Sequence, residues 1–175
     1  MKNTDGKIKT LTMSAFGLAL SVLSLLLFRG PISIFSTFLI PAIIVLFSGN
    51  KNGGYMLTSI GLFVVTLLFF PTQLIFVSGY VVLGLFLNLL AVSSSLKVKF
   101  NPIKLIIYTS ITSLVLFAGI RLTELIFLVP LHGMMVGISG GNPLAYAGIL
   151  LLEGLLISIF NFGLLRVFIT RTGQP

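Results

Sequence analysis

The apolar positions of this chain neither alternate nor keep to one helical face; they run on in continuous stretches. Each stretch is cut off by Gly, Pro, Asn, Ser or Lys. A half-buried strand alternates every second residue, and a soluble amphipathic helix returns to polar residues within each turn. Uninterrupted runs match helices that cross a bilayer, which need about 20 apolar residues. Six such helices are expected: Ile8–Phe28, Ile32–Phe47, Tyr55–Phe70, Gln73–Val92, Pro102–Val129 and Leu144–Ile169. The second and third are short for a full span, which predicts partly re-entrant segments or a locally thinned bilayer. A β-barrel does not fit, because its strands alternate between lipid-facing and inward polar positions. No repeat or second domain interrupts the pattern. Residues 1–175 are therefore read as one all-α domain, a polytopic membrane bundle of six transmembrane helices.

Composition agrees. Hydrophobic residues make up 57% of the chain and charged residues 8%, against about 25% charged in a soluble domain. Lipid must solvate part of such a surface. The net charge of +8 would suggest nucleic acid in a soluble protein. Here the basic residues sit in short connections, where they fix orientation and meet anionic headgroups. With a cytoplasmic amino terminus, the inner segments carry Lys2, Lys7, Lys9, Lys51, Lys97, Lys99, Lys104 and Arg171, with Arg166 near the end of the sixth helix. The outer loops carry Arg29 and His132. That bias predicts an even number of spans and two cytoplasmic termini. The first apolar run exceeds a signal-peptide core, and Arg29-Gly30-Pro31 follows it instead of a small-x-small cleavage motif. It is read as a retained helix.

Several chemistries are not expected. The chain has no Cys and one His, so it lacks the residues for a disulfide framework, thiolate chemistry or a His-rich metal site. No HExxH or phosphate-binding Gly-Lys-Ser/Thr loop occurs. The protein is read as a non-enzyme with no cofactor and no metal, unable to use ATP unaided.

Formal charge inside a bilayer is expensive and marks candidate function. Three groups qualify: Arg121 and Glu124 in the fifth helix and Glu153 in the sixth. Arg121 lies about 12 Å and Glu124 about 8 Å below the outer end near Val129, and Glu153 about 13 Å below Leu144. The two helices are consecutive and antiparallel, so the groups can meet in the outer half. Two readings compete. Arg121 and Glu124, three apart, can neutralise each other, with Glu153 protonated or bonded locally. Alternatively the cluster binds a polar solute, Arg holding a carboxylate or phosphate and Glu accepting from N–H groups.

The segment from Pro130 to Pro143 holds Gly133, Gly137, Gly140 and Gly141 among Met134, Met135, Val136 and Ile138. It suits a mobile lid over the pocket mouth, or equally an ordinary connector dipping into headgroups. His132 and Asn142 in this segment, and Arg29 at the outer end of the first helix, join the candidate substrate-binding residues. His132 and Arg29 also suit plain interfacial roles. On the first helix, Ala15 and Ala19 share a face with Ser14 beside them. Small residues at that spacing allow close helix approach.

These features resemble the substrate-binding S component of energy-coupling factor (ECF) transporters, bacterial importers of vitamins and micronutrients. The resemblance rests on length, six helices, a basic amino terminus leading into the Ala15/Ala19 face, a Pro-containing second helix (Ile32 to Pro41) and the Gly49–Gly54 turn. It implies solute capture in the outer half under capping loops. It implies docking of a transmembrane coupling subunit, which carries two ATPase subunits, on the Ala15/Ala19 face, and toppling in the bacterial plasma membrane to release solute inward. Arg121, Glu124 and Glu153 then fall in the expected pocket region. No motif points to one vitamin. The chain also resembles YybS-like membrane proteins, which share this pattern. The alternative is an MreD-like scaffold in cell-envelope assembly, of similar length and helix count.

Overall fold

The computed structural model describes residues 2–28, 34–48, 52–92 and 101–172. Regular structure among them is entirely helical: α1 (Lys2–Leu27), α2 (Ile34–Ser48), α3 (Asn52–Phe69), a 3-10 turn (Pro71–Gln73), α4 (Leu74–Val92), α5 (Pro102–Phe127), α6 (Leu131–Ile138) and α7 (Pro143–Thr172). Four stretches are long and apolar enough to cross a membrane: Gly6–Leu27, Pro71–Leu90, Pro102–Phe127 and Pro143–Phe168. α2, with 15 residues, reaches about 22 Å at the helical rise, short of a hydrocarbon core of about 30 Å. The chain thus has the make-up of a helical membrane protein. Arg29, Lys51, Lys97 and Lys99 lie outside the described residues.

The chain divides into two compact units, Met1–Val98 with Asn161–Pro175, and Lys99–Phe160. In the first, α1 packs on α2 and α3, and α2 on α3 and α4. Small residues make this possible. Ser14, Gly17, Ser21 and Ser24 fall on one face of α1 and are buried. A Cβ on Gly17 would come within 2.7 Å of Phe47 Cβ, so only glycine lets α2 this close. Ser14 Oγ donates to the Gly54 carbonyl at 3.2 Å, and Thr58 Oγ1 donates to the same oxygen at 3.0 Å. Without water in a bilayer core, such hydroxyl-to-carbonyl bonds within and between helices satisfy buried polar atoms. Pro41 lies inside α2, and a Cβ on Gly84 of α4 would sit 3.4 Å from its carbonyl oxygen. The Tyr55 hydroxyl closes this junction by donating to the Val81 carbonyl.

In the second unit, α5 buries Tyr108, Thr109, Thr112, Ser113, Leu116, Gly119, Ile120 and Thr123 along one stripe. α7 meets it through Tyr146, Leu150, Gly154 and Ile157, all buried. Ser113 Oγ lies within donating distance of its own helix at Thr109 O (2.9 Å) and of Leu150 O across the seam (3.0 Å). A side chain on Gly154 would overlap Ser113 Oγ and crowd the Thr109 carbonyl at 3.0 Å.

Both long helices of this unit begin at an Asn-Pro pair. Asn101 Oδ1 accepts from Ile103 N at 3.0 Å, and Asn142 Oδ1 accepts from Leu144 N at 2.9 Å. Asn caps an otherwise orphaned amide, and Pro at the first helical position loses no hydrogen bond. Asn142→Ala should therefore lower unfolding stability by about 1 kcal/mol, read from the thermal midpoint in detergent. An unchanged midpoint would remove the cap from the account.

The segment between α5 and α7 differs from the glycine-rich connector expected of it. Residues 131–138 are helical. Gly133 and Gly137 sit inside α6, while Gly140 and Gly141 end it at φ +66° and +76°. Gly141 N donates to Val136 O (2.9 Å) and Gly140 N to Gly137 O (3.0 Å), the paired bonds of a Schellman ending. These glycines fix the chain's course here. Leu128, which ends α5, also takes a left-handed conformation at φ 55°. That conformation is costly for a residue with a Cβ.

Candidate functional site

Every candidate residue of the second unit can be placed. Arg121 and Glu124 project from α5 off its buried stripe. Arg121 Nη1 donates to Glu124 Oε2 at 2.9 Å, an ion pair across one helical turn. The pair is not sealed, since the two side chains are 49% and 26% exposed. Charge-assisted contact of this kind neutralises both members, so Arg121 is committed to a carboxylate of its own helix.

Glu153 stands apart. It is half-buried on α7, seven residues beyond Tyr146 and hence on the same helix face. Among the described residues it makes no ion pair and no hydrogen bond. The expected meeting of the three groups is thus partial. Arg121 pairs with Glu124, and Glu153 is left with neither a cation nor a donor.

Above this cluster sits a group of rings that the charges alone did not reveal. His132, near the start of α6, makes an edge contact with Tyr146 (centroids 5.1 Å apart) and another with Phe117 (6.2 Å). Phe117 and Tyr146 close the triangle at 6.4 Å. Phe117 precedes Arg121 by one turn, so ring and guanidinium occupy neighbouring positions along α5. Tyr146 is 5% exposed. Its hydroxyl and His132 Nδ1 are both buried and without a hydrogen-bond partner. Buried polar atoms are ordinarily satisfied, and here two lie in one ring cluster. His132 therefore belongs with the candidate site, through its ring. The Asn142 side chain is occupied in capping α7. Arg29 lies outside the described residues. No group of three His, Asp or Glu side chains suited to a metal occurs among the described residues.

Ala15 and Ala19 belong to the other unit and face outward. They line an apolar groove of about 430 Å³ with Leu18, Val22, Leu23, Leu26 and Val65. The small residues that pack α1 against α2 and α3 are a different set, Ser14, Gly17, Ser21 and Ser24.

Compared with protein-family models, curated proteins and solved structures, the chain finds no match. The functional reading rests on its own residues.

Tyr146 and Phe117 are the residues that sequence reasoning missed. The available signal was positional: an aromatic residue four before Arg121, and a tyrosine seven before Glu153.

Proposed function

We propose that the chain is the membrane-embedded solute-binding subunit of an ECF-type importer for a vitamin or similar micronutrient. It inserts six helices into a bacterial plasma membrane with both termini cytoplasmic. Solute is captured between α5, α6 and α7, and the Ala15/Ala19 face docks a coupling subunit bearing two ATPases. The observation that carries this reading is Glu153, a carboxyl without counter-charge or donor within a helix apolar enough to span a membrane. Such a group is costly, and a polar ligand offsets that cost. The exposure of Ala15 and Ala19 on an open groove supports the docking half.

One observation favours the MreD-like scaffold instead: Arg121 and Glu124 satisfy each other. Affinity purification of the tagged chain from its own bacterial membranes separates the two. The importer reading expects a transmembrane coupling protein and two ATPases to co-purify, and a vitamin to raise the thermal midpoint of the purified chain. Recovery of cell-wall synthesis proteins without ATPases, and no vitamin-induced shift, would overturn it in favour of the scaffold.

A further inference from the structure

The arrangement in the second unit bears on the class of solute, and this inference rests on the solute-binding reading above. Arg121 would ordinarily direct attention to anions, since its forked donors suit carboxylate and phosphate. Its partner is already in place at 2.9 Å. An anion entering here would have to displace Glu124 from the guanidinium and would join two carboxylates in a medium that screens charge poorly. The formal sum of Arg121, Glu124 and Glu153 is one negative charge, and it resides on the one carboxyl with no partner.

Two turns from that carboxyl along α7, about 10 Å at the helical rise, stands an aromatic cluster. Tyr146 shares the carboxyl's helix face, and Phe117 and His132 stand against Tyr146 with ring centroids 5.1 to 6.4 Å apart. Ring faces attract cations lying within about 6 Å of the centroid, more strongly when water is excluded. Two polar atoms in the cluster, Tyr146 Oη and His132 Nδ1, are buried and unsatisfied. The hydroxyl can accept or donate, and a neutral imidazole offers one accepting nitrogen. A counter-charge, π-faces and unfilled acceptor capacity are complementary to one chemistry, a positively charged group with N–H or polarised C–H bonds on a carbon frame.

We infer that this unit binds a small organic cation, a protonated or quaternary amine, held by Glu153 as counter-charge and by the rings of Phe117, His132 and Tyr146. The Arg121–Glu124 pair stays closed during binding and serves to keep the guanidinium from repelling the ligand.

The test uses the full chain in lipid nanodiscs and three probes that share one ring: benzyltrimethylammonium, benzoate and benzyl alcohol. Calorimetry should record binding of the ammonium probe and none of the other two at the same concentration. Glu153→Gln should weaken that binding about tenfold or more, as expected for loss of a close charge partner, and Glu153→Asp should restore most of it. Helical circular dichroism and elution volume confirm that each variant folds. Preferential binding of benzoate would overturn the cation assignment yet leave a solute-binding subunit standing. Ammonium binding indifferent to Glu153→Gln, or no binding of the ammonium probe by folded protein, would also overturn it. The importer reading is judged separately, by its co-purifying ATPases.

Discussion

Gly54→Ala is expected to lower the unfolding free energy by about 3 kcal/mol, while Gly53→Ala, one residue earlier, is expected to be neutral or to stabilise by up to about 1 kcal/mol. The residues are the same type in the same helical turn, and only their surroundings differ. A Cβ on Gly53 meets nothing within 4 Å, so alanine there gains helix propensity at no steric cost. A Cβ on Gly54 would overlap the Ser48 carbonyl oxygen and press on Thr10 Cγ2 at 3.2 Å. The carbonyl belongs to the backbone of α2 and cannot rotate aside as a side chain would. The Gly54 carbonyl also accepts from Ser14 of α1, so displacing α3 strains that interhelical hydroxyl bond as well. Denaturant unfolding of both variants in one detergent, followed by circular dichroism, measures the contrast. Equal midpoints would show that α2 and α3 are not in this register.

Arg121→Met alone is expected to cost about 2–3 kcal/mol, the scale on which a lone charge opposes membrane insertion, because Glu124 loses its counter-charge. Arg121→Met combined with Glu124→Met should recover most of that loss, since an apolar pair of similar volume replaces a matched ion pair nearly without penalty. The double-mutant cycle isolates the coupling. Both side chains are partly exposed, so the size of the effect also reports what they face. A loss below about 1 kcal/mol is the behaviour of a pair bathed in water and would move this end of α5 out of the hydrocarbon. A double-variant loss equal to the sum of the Arg121→Met and Glu124→Met losses would mean that the contact contributes nothing.

Much of the helical layout was legible because it follows from length and punctuation. The six expected segments fall on described helices to within a few residues, four of which are long and apolar enough to cross a membrane; at the start of α1, Lys2 to Lys7 extend the helix beyond the apolar run. Asn101-Pro102 and Asn142-Pro143 mark their helix starts openly, since cap and first residue are adjacent. α6 was hidden because Gly133 and Gly137 lower helix propensity and an eight-residue segment carries little periodic signal. The ion pair was legible from the spacing of Arg121 and Glu124. Separating Glu153 from it was beyond depth arithmetic, which fixes height along a helix axis but not the direction a side chain takes around it. The Ser14, Gly17, Ser21 and Ser24 seam recurs at helical spacing, yet the Ala pair beside it follows the same rule. Only packing distinguishes the face turned inward from the one left open.

The two bends that flank α6, at Leu128 and at Gly140-Gly141, have a kinetic consequence. A loose tether of this length would rearrange within nanoseconds to microseconds. Here the Gly141-to-Val136 and Gly140-to-Gly137 bonds tie the far end of α6 to its own last turn. Any movement of α6 is then a swing of the whole helix about two pivots, a microsecond-to-millisecond event. Motion of this segment would therefore be paced by a hinge rather than by the drift of a loose loop.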